Sequence, residues 1–398
     1  MKLQTFFLMV FSVVALGFTE GGSQLQPDKF DVRVLLAKAE RSDVFEWTLK
    51  SPNGFFLRDP DDGTIQEIKG TKITVSFKQG RITINRRRLV KNGVELVAKS
   101  GETAFMGNRY AGFFALDYAS REGLVHLVNH VDIEDYLYSV LRWESWPGWP
   151  LEVNKALTIA CRTFLVKKIL DSRREKEDGS FVRSYDIRAT NMDQTYKGIH
   201  EFVALRKALE ETRGIVMTFG GKPIEAMYDT CCGGVVPADL EGVDFVKAPY
   251  LKRDYACTYC KNCSLYTWKV IYRTSDFKEL IRAGIEDAVP VRDIRILRRD
   301  KAHVVREVQV KTNSAWIALS GQKIYSLLKD IKSLCFSLKR DGNKIIATGH
   351  GCGHHLGLCQ WGAREMVRQG WNYKEVLEFF YPGISFTSIK VVYVDKTV

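Results

Sequence analysis

Several things are missing from this 398-residue chain, and each absence narrows the reading. There are no internal repeats and no low-complexity tracts, so neither a solenoid nor an extended tail is expected. Beyond Phe18 no stretch is long and apolar enough to cross a bilayer. No cysteine follows the N-terminal apolar run, so a lipid-anchored form is not indicated. Neither the dinucleotide-binding pattern nor the Lys-Ser/Thr ending of a phosphate loop is present. Acidic residues are the scarcer sign, 47 Asp and Glu against 59 Lys and Arg, giving a formal charge of +12. That excess favours an anionic partner, such as nucleic acid, acidic lipid or a carboxylate-bearing wall polymer. The basic residues are dispersed and no nucleic-acid motif accompanies them, so nucleic acid is set aside as a partner.

What is present begins with Lys2 and an apolar run, Phe6 to Phe18, followed by polar Thr19 to Ser23. This is the pattern of a secretory signal, with Ala15 and Gly17 near a cleavage point. The expectation is an exported protein, in the periplasm or on the cell-wall side of the cytoplasmic membrane, with the segment removed or kept as an uncleaved anchor. The fold class expected is α+β, organised as a signal peptide at 1–24 and a β-rich segment at 25–128. A helical core with a cysteine cluster follows at 129–264, then an inserted mixed α/β segment at 265–346. A glycine-histidine loop and C-terminal helices at 347–398 complete a cleft. Runs such as Asp31–Leu36, Lys72–Phe77 and Arg81–Ile84, set between Pro-Asn-Gly and Asp-Asp-Gly turns, carry the strand signal.

The centre of the chain is Leu141-Arg142-Trp143-Glu144-Ser145-Trp146-Pro147-Gly148-Trp149-Pro150, a stiff connection flanked by helices. Upstream, Asp132 caps a helix whose first turn holds Glu134 and Asp135. Downstream, Pro150 suits a first helical position, and Val153, Ala156, Leu157, Ala160 and Phe164 recur at helical spacing. A carboxylate among indole rings loses hydration, and its pKa rises towards that of an acid catalyst. The alternative is a partly exposed Glu at a helix end beside core tryptophans, and spacing alone leaves the two level. A strand at Ile215–Phe219 and another at Ile224–Asp229 are expected to join at Gly220-Gly221.

Two further clusters carry chemistry. Gly349 to Ala363 alternates glycines with His350, His354, His355 and Gln360, and fits a polar subsite more economically than a metal centre. Cys257-x-x-Cys260-x-x-Cys263 with the pair Cys231-Cys232 has the spacing of a structural zinc site, and in an oxidising compartment the same residues suit disulfides. Cys161 and Cys335 read as core residues. A hydrolase pairing Cys352 or Cys359 with His354 is the weaker reading, since an activated thiol normally meets its base across the fold.

Together these residues resemble the stage II sporulation protein D family of peptidoglycan lytic transglycosylases, which includes amidase-enhancer proteins. The resemblance spans nearly the whole mature chain. Its motifs are Val131 to Leu137 leading to Glu144, Ala156 through Phe164, Asp193-Gln194-Thr195-Tyr196-Lys197-Gly198, and the loop ending Gln360-Trp361-Gly362-Ala363. It implies Glu144 as the catalytic acid, with Arg162, Gln194, Tyr196, His354 and Gln360 lining the cleft. Trp146, Trp149, Tyr228 and Trp361 join them as substrate contacts. The implied reaction cleaves the bond between N-acetylmuramic acid and N-acetylglucosamine, leaves 1,6-anhydro ends and requires no cofactor for catalysis; a structural zinc is expected only from the cysteine spacing. The implied partners are glycan strands, stripped of stem peptides, and a wall amidase. Two other classes remain: a glycan-binding activator of an amidase that does not cut, and a secreted zinc-cluster interaction protein. Arg162 sits about 18 Å along its helix from Pro150, so it meets Glu144 only if the Trp-Pro loop folds back. Where relatives carry Cys and His ligands before the Gln-x-Tyr-x-Gly motif this chain has Arg188, Thr190 and Met192, so no zinc is expected there. Cys231-Cys232 replaces a family Ser/Thr, His355 a glycine and Cys352 an aromatic.

Overall fold

Period-two alternation in the N-terminal segment builds two sheets in the computed structural model. The model describes residues 31–40, 45–78, 81–88, 93–119, 123–177, 184–285 and 289–390. The expected signal segment lies outside them. Val94, Leu96 and Ala98 point inward from the strand Gly93–Ala98, while the residues between them are partly exposed, as a one-sided sheet requires. A seven-stranded sheet runs in the order Ile187–Arg188, Asp31–Glu40, Leu124–Asp132, Phe113–Ala119, Gly93–Ala98, Phe55–Arg58, Ile65–Ile68. A six-stranded sheet centred on Phe45–Lys50 and Lys72–Lys78 accompanies it. Helices and strands in several sheets make the fold mixed α+β.

The larger sheet delivers the site. Its strand Leu124–Asp132 runs directly into helix α1, Ile133–Glu144, where Asp132 Oδ1 accepts from the Glu134 amide at 2.9 Å. This cap satisfies one of the four free amides at the helix start. Helix α1 ends at Ser145, whose backbone turns extended. The Trp-Pro stretch then closes on itself, with the Trp149 amide donating to Trp146 O at 2.9 Å. Helix α2, Leu151–Glu177, follows Pro150, whose carbonyl accepts from the Val153 amide at 3.0 Å. Helix α3, Val203–Glu211, packs on α1 and α2 and leads to the strand Ile215–Phe219.

The expected continuous strand Ile224–Asp229 is not formed. Only Lys222–Pro223 pairs back on Ile215–Phe219. Tyr228–Asp229 leaves that hairpin and pairs in parallel with Leu358–Cys359. Its register is fixed by the Leu358 amide, which donates to Met227 O at 3.0 Å. Gly357 is required beside it: its φ is +67°, and a Cβ there would stand 2.0 Å from Met227 O. Residues 268–347 share a core of their own, including Phe277, Ile281, Val305, Val308, Ile324, Phe336 and Ala347. It contains α4, Thr274–Arg282, and α5, Gly321–Leu327. The chain then returns through the glycine-histidine loop to α6, Gln360–Arg368, and α7, Tyr373–Phe380, both packed on α2. From Asp31 onwards the chain forms one compact unit.

Candidate active site

Glu144 is the last residue of α1 and is partly exposed. Two elements far apart in sequence hold it. The Thr195 amide donates to Glu144 Oε1 at 2.9 Å, and the Gln360 side-chain amide donates to the Glu144 carbonyl at 2.9 Å. Among the described residues Oε2 accepts no hydrogen bond. Thr195 is placed by the residues on either side of it. Gln194, fully buried, receives the Tyr136 hydroxyl at 3.2 Å and donates to Cys161 O at 3.2 Å and to the Tyr228 hydroxyl at 3.4 Å. Burial, then Cys161 and the charge of Glu144, push the Tyr228 phenol well above its ordinary range, so it stays protonated at neutral pH. Burial and then Glu144 push up the Cys161 thiol in the same way, which removes it as a nucleophile.

The three tryptophans do not close over the carboxylate. Trp143 and Trp146 are 47% and 58% exposed, so the expected indole enclosure of Glu144 is corrected to an open aromatic surface beside it. Trp146 and Trp149 stack at 6.2 Å with planes 21° apart, and Trp149 meets the edge of Trp361 at 5.5 Å. The Arg364 guanidinium lies 5.0 Å from the Trp361 ring. On the other side, Lys197 Nζ sits 4.0 Å from the Trp143 ring. The result is an aromatic platform edged with cations. Proline and the α1–α2 turn force it, because Trp149 is tied back to Trp146 and Asn154 donates to Trp149 O at 3.3 Å.

The comparisons with known proteins bear directly on this arrangement. Residues 121–219, which carry Glu144 and Thr195, match the family model described as SpoIID, stage II sporulation protein. The chain is 26% identical to the stage II sporulation protein D of Bacillus amyloliquefaciens, over 66% of this chain and 76% of that protein. Residues 121–219 thus carry a SpoIID-type domain, and the chain resembles stage II sporulation protein D. It is also 28% identical to an uncharacterized protein of Brachyspira hyodysenteriae, over 79% of this chain and 82% of that one. The amidase enhancer of Bacillus subtilis is 27% identical over 63% of this chain but only 40% of its own length. The match ends at residue 219, so Tyr228, Gln360 and Trp361 contribute to the site from outside it.

Several motif positions expected to line a cleft do not reach Glu144. Arg162 is completely buried and grips Glu134 with two bonds, Nε to Oε1 at 2.9 Å and Nη2 to Oε2 at 2.7 Å. It also donates to Ile215 O at 3.3 Å, so it fastens α1, α2 and the following strand and touches no substrate. The Trp-Pro loop does not bring it to Glu144. Tyr196 is likewise core: it stacks on Tyr136 at 4.9 Å and donates to Asn129 Oδ1 at 2.7 Å. Gln194 positions the site from beneath and does not line it. Gly198, at φ +79°, lets this motif lie against Arg109 O, where a Cβ would come within 2.0 Å. His354 is exposed and its Nδ1 accepts from the Leu356 amide at 3.1 Å. It lines a cavity of about 400 Å³ with Gln322, Tyr325 and Leu240, away from Glu144. His355 is buried, its Nδ1 bonded to Cys232 O at 2.9 Å and its amide donating to Asp229 at 2.8 Å.

The cysteine cluster is real but differently composed. Cys232, Cys257, Cys260 and Cys359 are all buried, with their sulfurs within 4.8 Å of one another. Cys231 and Cys263, expected as members, stand beside this set and do not complete it. Cys359 takes the place because the parallel pairing of Leu358–Cys359 with Tyr228–Asp229 carries the start of α6 to the Cys232 turn. Nothing in local spacing marks Cys359 or Thr195, because each meets its partners only across the fold.

Proposed function

We propose that this chain cleaves peptidoglycan glycan strands as a lytic transglycosylase, with Glu144 as the acid and then the base. The observation that carries the reading is that Glu144 is anchored through its carbonyl and Oε1 while Oε2 is left unbonded beside an aromatic platform. Three other carboxylates of the region are engaged elsewhere. Glu134 pairs with Arg162, Asp193 with Arg188, and Asp229 is buried. A single carboxylate suffices if the nucleophile belongs to the substrate, whereas an ordinary glycosidase needs two.

In this mechanism Glu144 Oε2 gives its proton to the glycosidic oxygen as the bond to the muramoyl C1 breaks, releasing N-acetylglucosamine with a free hydroxyl. The resulting carboxylate takes the proton of the muramoyl 6-hydroxyl, whose oxygen closes on C1. The product carries a 1,6-anhydro end, no water is consumed, and Glu144 ends protonated as it began. Trp146, Trp149 and Trp361 would stack on sugar faces, and the Tyr228 hydroxyl would donate to substrate oxygens. Arg364 and Lys197 would meet the carboxylates of the muramoyl groups. The substrate puts the work on the wall side of the membrane.

The amidase enhancer among its relatives supports a second reading, in which the platform binds glycan and activates an amidase without cutting. Mass spectrometry of glycan strands incubated with the full chain, with and without prior removal of stem peptides, separates the two. Anhydro-ended fragments, most abundant from stripped strands, are expected. Intact strands that nevertheless co-sediment with the protein would select the binding reading.

A further inference from the structure

We propose that Cys232, Cys257, Cys260 and Cys359 hold one tetrahedral zinc ion that clamps the catalytic wall in place. The assignment does not depend on what the site cleaves. All nine cysteines are free thiols, and the Cys232 and Cys260 sulfurs are 3.6 Å apart. A disulfide requires about 2.05 Å. A tetrahedral ion with zinc–sulfur bonds near 2.3 Å sets its ligand sulfurs about 3.8 Å apart. The four sulfurs therefore already occupy a volume sized for a single ion. They are too close together to surround an iron–sulfur cluster, whose core separates its thiolates further.

The surroundings are built for thiolates. The Cys232 and Gly362 amides each donate to Cys359 Sγ at 3.3 Å. Cys359 is the N-cap of α6, so its sulfur sits at the positive end of that helix. Gly362 is the residue that makes room: a Cβ there would lie 2.8 Å from Cys257 Sγ and 3.3 Å from Cys359 Sγ. Cys257 and Cys260 flank the start of the turn Tyr259–Asn262, the compact knuckle that a C-x-x-C ligand pair uses.

The position gives the ion its purpose. It joins the Cys232 turn beyond Tyr228, the Cys257–Cys260 knuckle, and the residue immediately before Gln360. Gln360 is the side chain that fixes the Glu144 carbonyl. Three loops are tied to one point, and the ligand Cys359 is the residue next to Gln360, which bonds the candidate acid.

Zinc determination by mass spectrometry on the full chain, purified under reducing conditions, is expected to return about one zinc per chain. Replacing the metal with cobalt should give the intense thiolate charge-transfer and tetrahedral d–d absorption of a four-sulfur site. Cys359→Ser should reduce bound zinc at least tenfold and abolish those bands, while Cys335→Ser, outside the set, should retain both. Should Cys359→Ser fail to fold, thiol counting on the parent protein decides. A chelator is then expected to expose four thiols to an aromatic disulfide reagent beyond those it reaches in the untreated protein. Metal-free protein whose thiol count a chelator does not change, iron in place of zinc with cluster absorption, or zinc lost from Cys231→Ser but kept in Cys359→Ser would each overturn the assignment.

Discussion

Glu134 and Glu144 begin and end the same helix, and the structure treats them oppositely. Glu134 is buried, saturated by two Arg162 bonds and approached by the Gly214 amide at 3.3 Å. Glu144 is partly exposed, with one oxygen held and the other unbonded among the described residues. A carboxylate locked to a buried guanidinium fastens the fold and has no free oxygen to offer a substrate. A carboxylate anchored at one oxygen is oriented without being neutralised by a cation. The comparison teaches that partners, more than position in a motif, separate a structural acid from a chemical one.

The comparison breaks first at Glu144. Glu144→Gln preserves the Thr195 and Gln360 contacts but cannot carry the proton, so the rate of anhydro-end formation should fall by about 10²–10⁴. Its thermal midpoint should match that of the parent. Arg162→Met should do the reverse: leaving Glu134 buried and unpaired costs about 3–5 kcal/mol of stability, read by denaturant unfolding. At a temperature where that variant remains folded, cleavage should persist. Next in size is the platform. Trp361→Ala and Trp146→Ala should each weaken glycan binding by roughly tenfold, or ~1.4 kcal/mol, with the chemical step little changed. A fall in the maximal rate with unaltered binding would remove these residues from the sugar-stacking role.

The smallest effect concerns acid. Asp186 ties the strand Asp31–Glu40 to α2 through Arg33 at 2.6 Å and Ser172 at 2.9 Å. Burial alone would raise its pKa, but the Arg33 bonds outweigh it and hold the carboxyl below its ordinary 3.8. A depressed carboxyl pKa contributes stability that is complete above the unfolded value and declines as pH falls through the folded one. Unfolding titrations from pH 6 downwards should therefore show an Asp186-dependent loss that starts only below about 4. An Asp186→Asn variant showing the parent's full loss would sever the link.

Much of this was legible in the residues. The Asp132 cap and the Pro150 start of α2 follow from local chemistry that tertiary packing does not contest. Glu144 at a stiff aromatic turn was also legible. What sequence could not supply was direction. Arg162 and Tyr196 lie on helix and motif positions that suit a cleft equally well, and only the packing of α1 against α2 turns them inward. The indole rings were counted correctly, yet stacking of Trp146 on Trp149 leaves Glu144 uncovered. Tyr228–Asp229 abandoned its hairpin because a parallel partner arrived from residues 358–359. The same long-range pairing delivered Cys359 where Cys263 had been expected.

The most direct measurement sets the two glutamates side by side: anhydro-ended products from stripped glycan strands, quantified for Glu144→Gln and Glu134→Gln at matched folded concentration. The account predicts a stable but inactive Glu144→Gln protein and a destabilised Glu134→Gln protein that still cleaves. Parent-level cleavage by Glu144→Gln would contradict it.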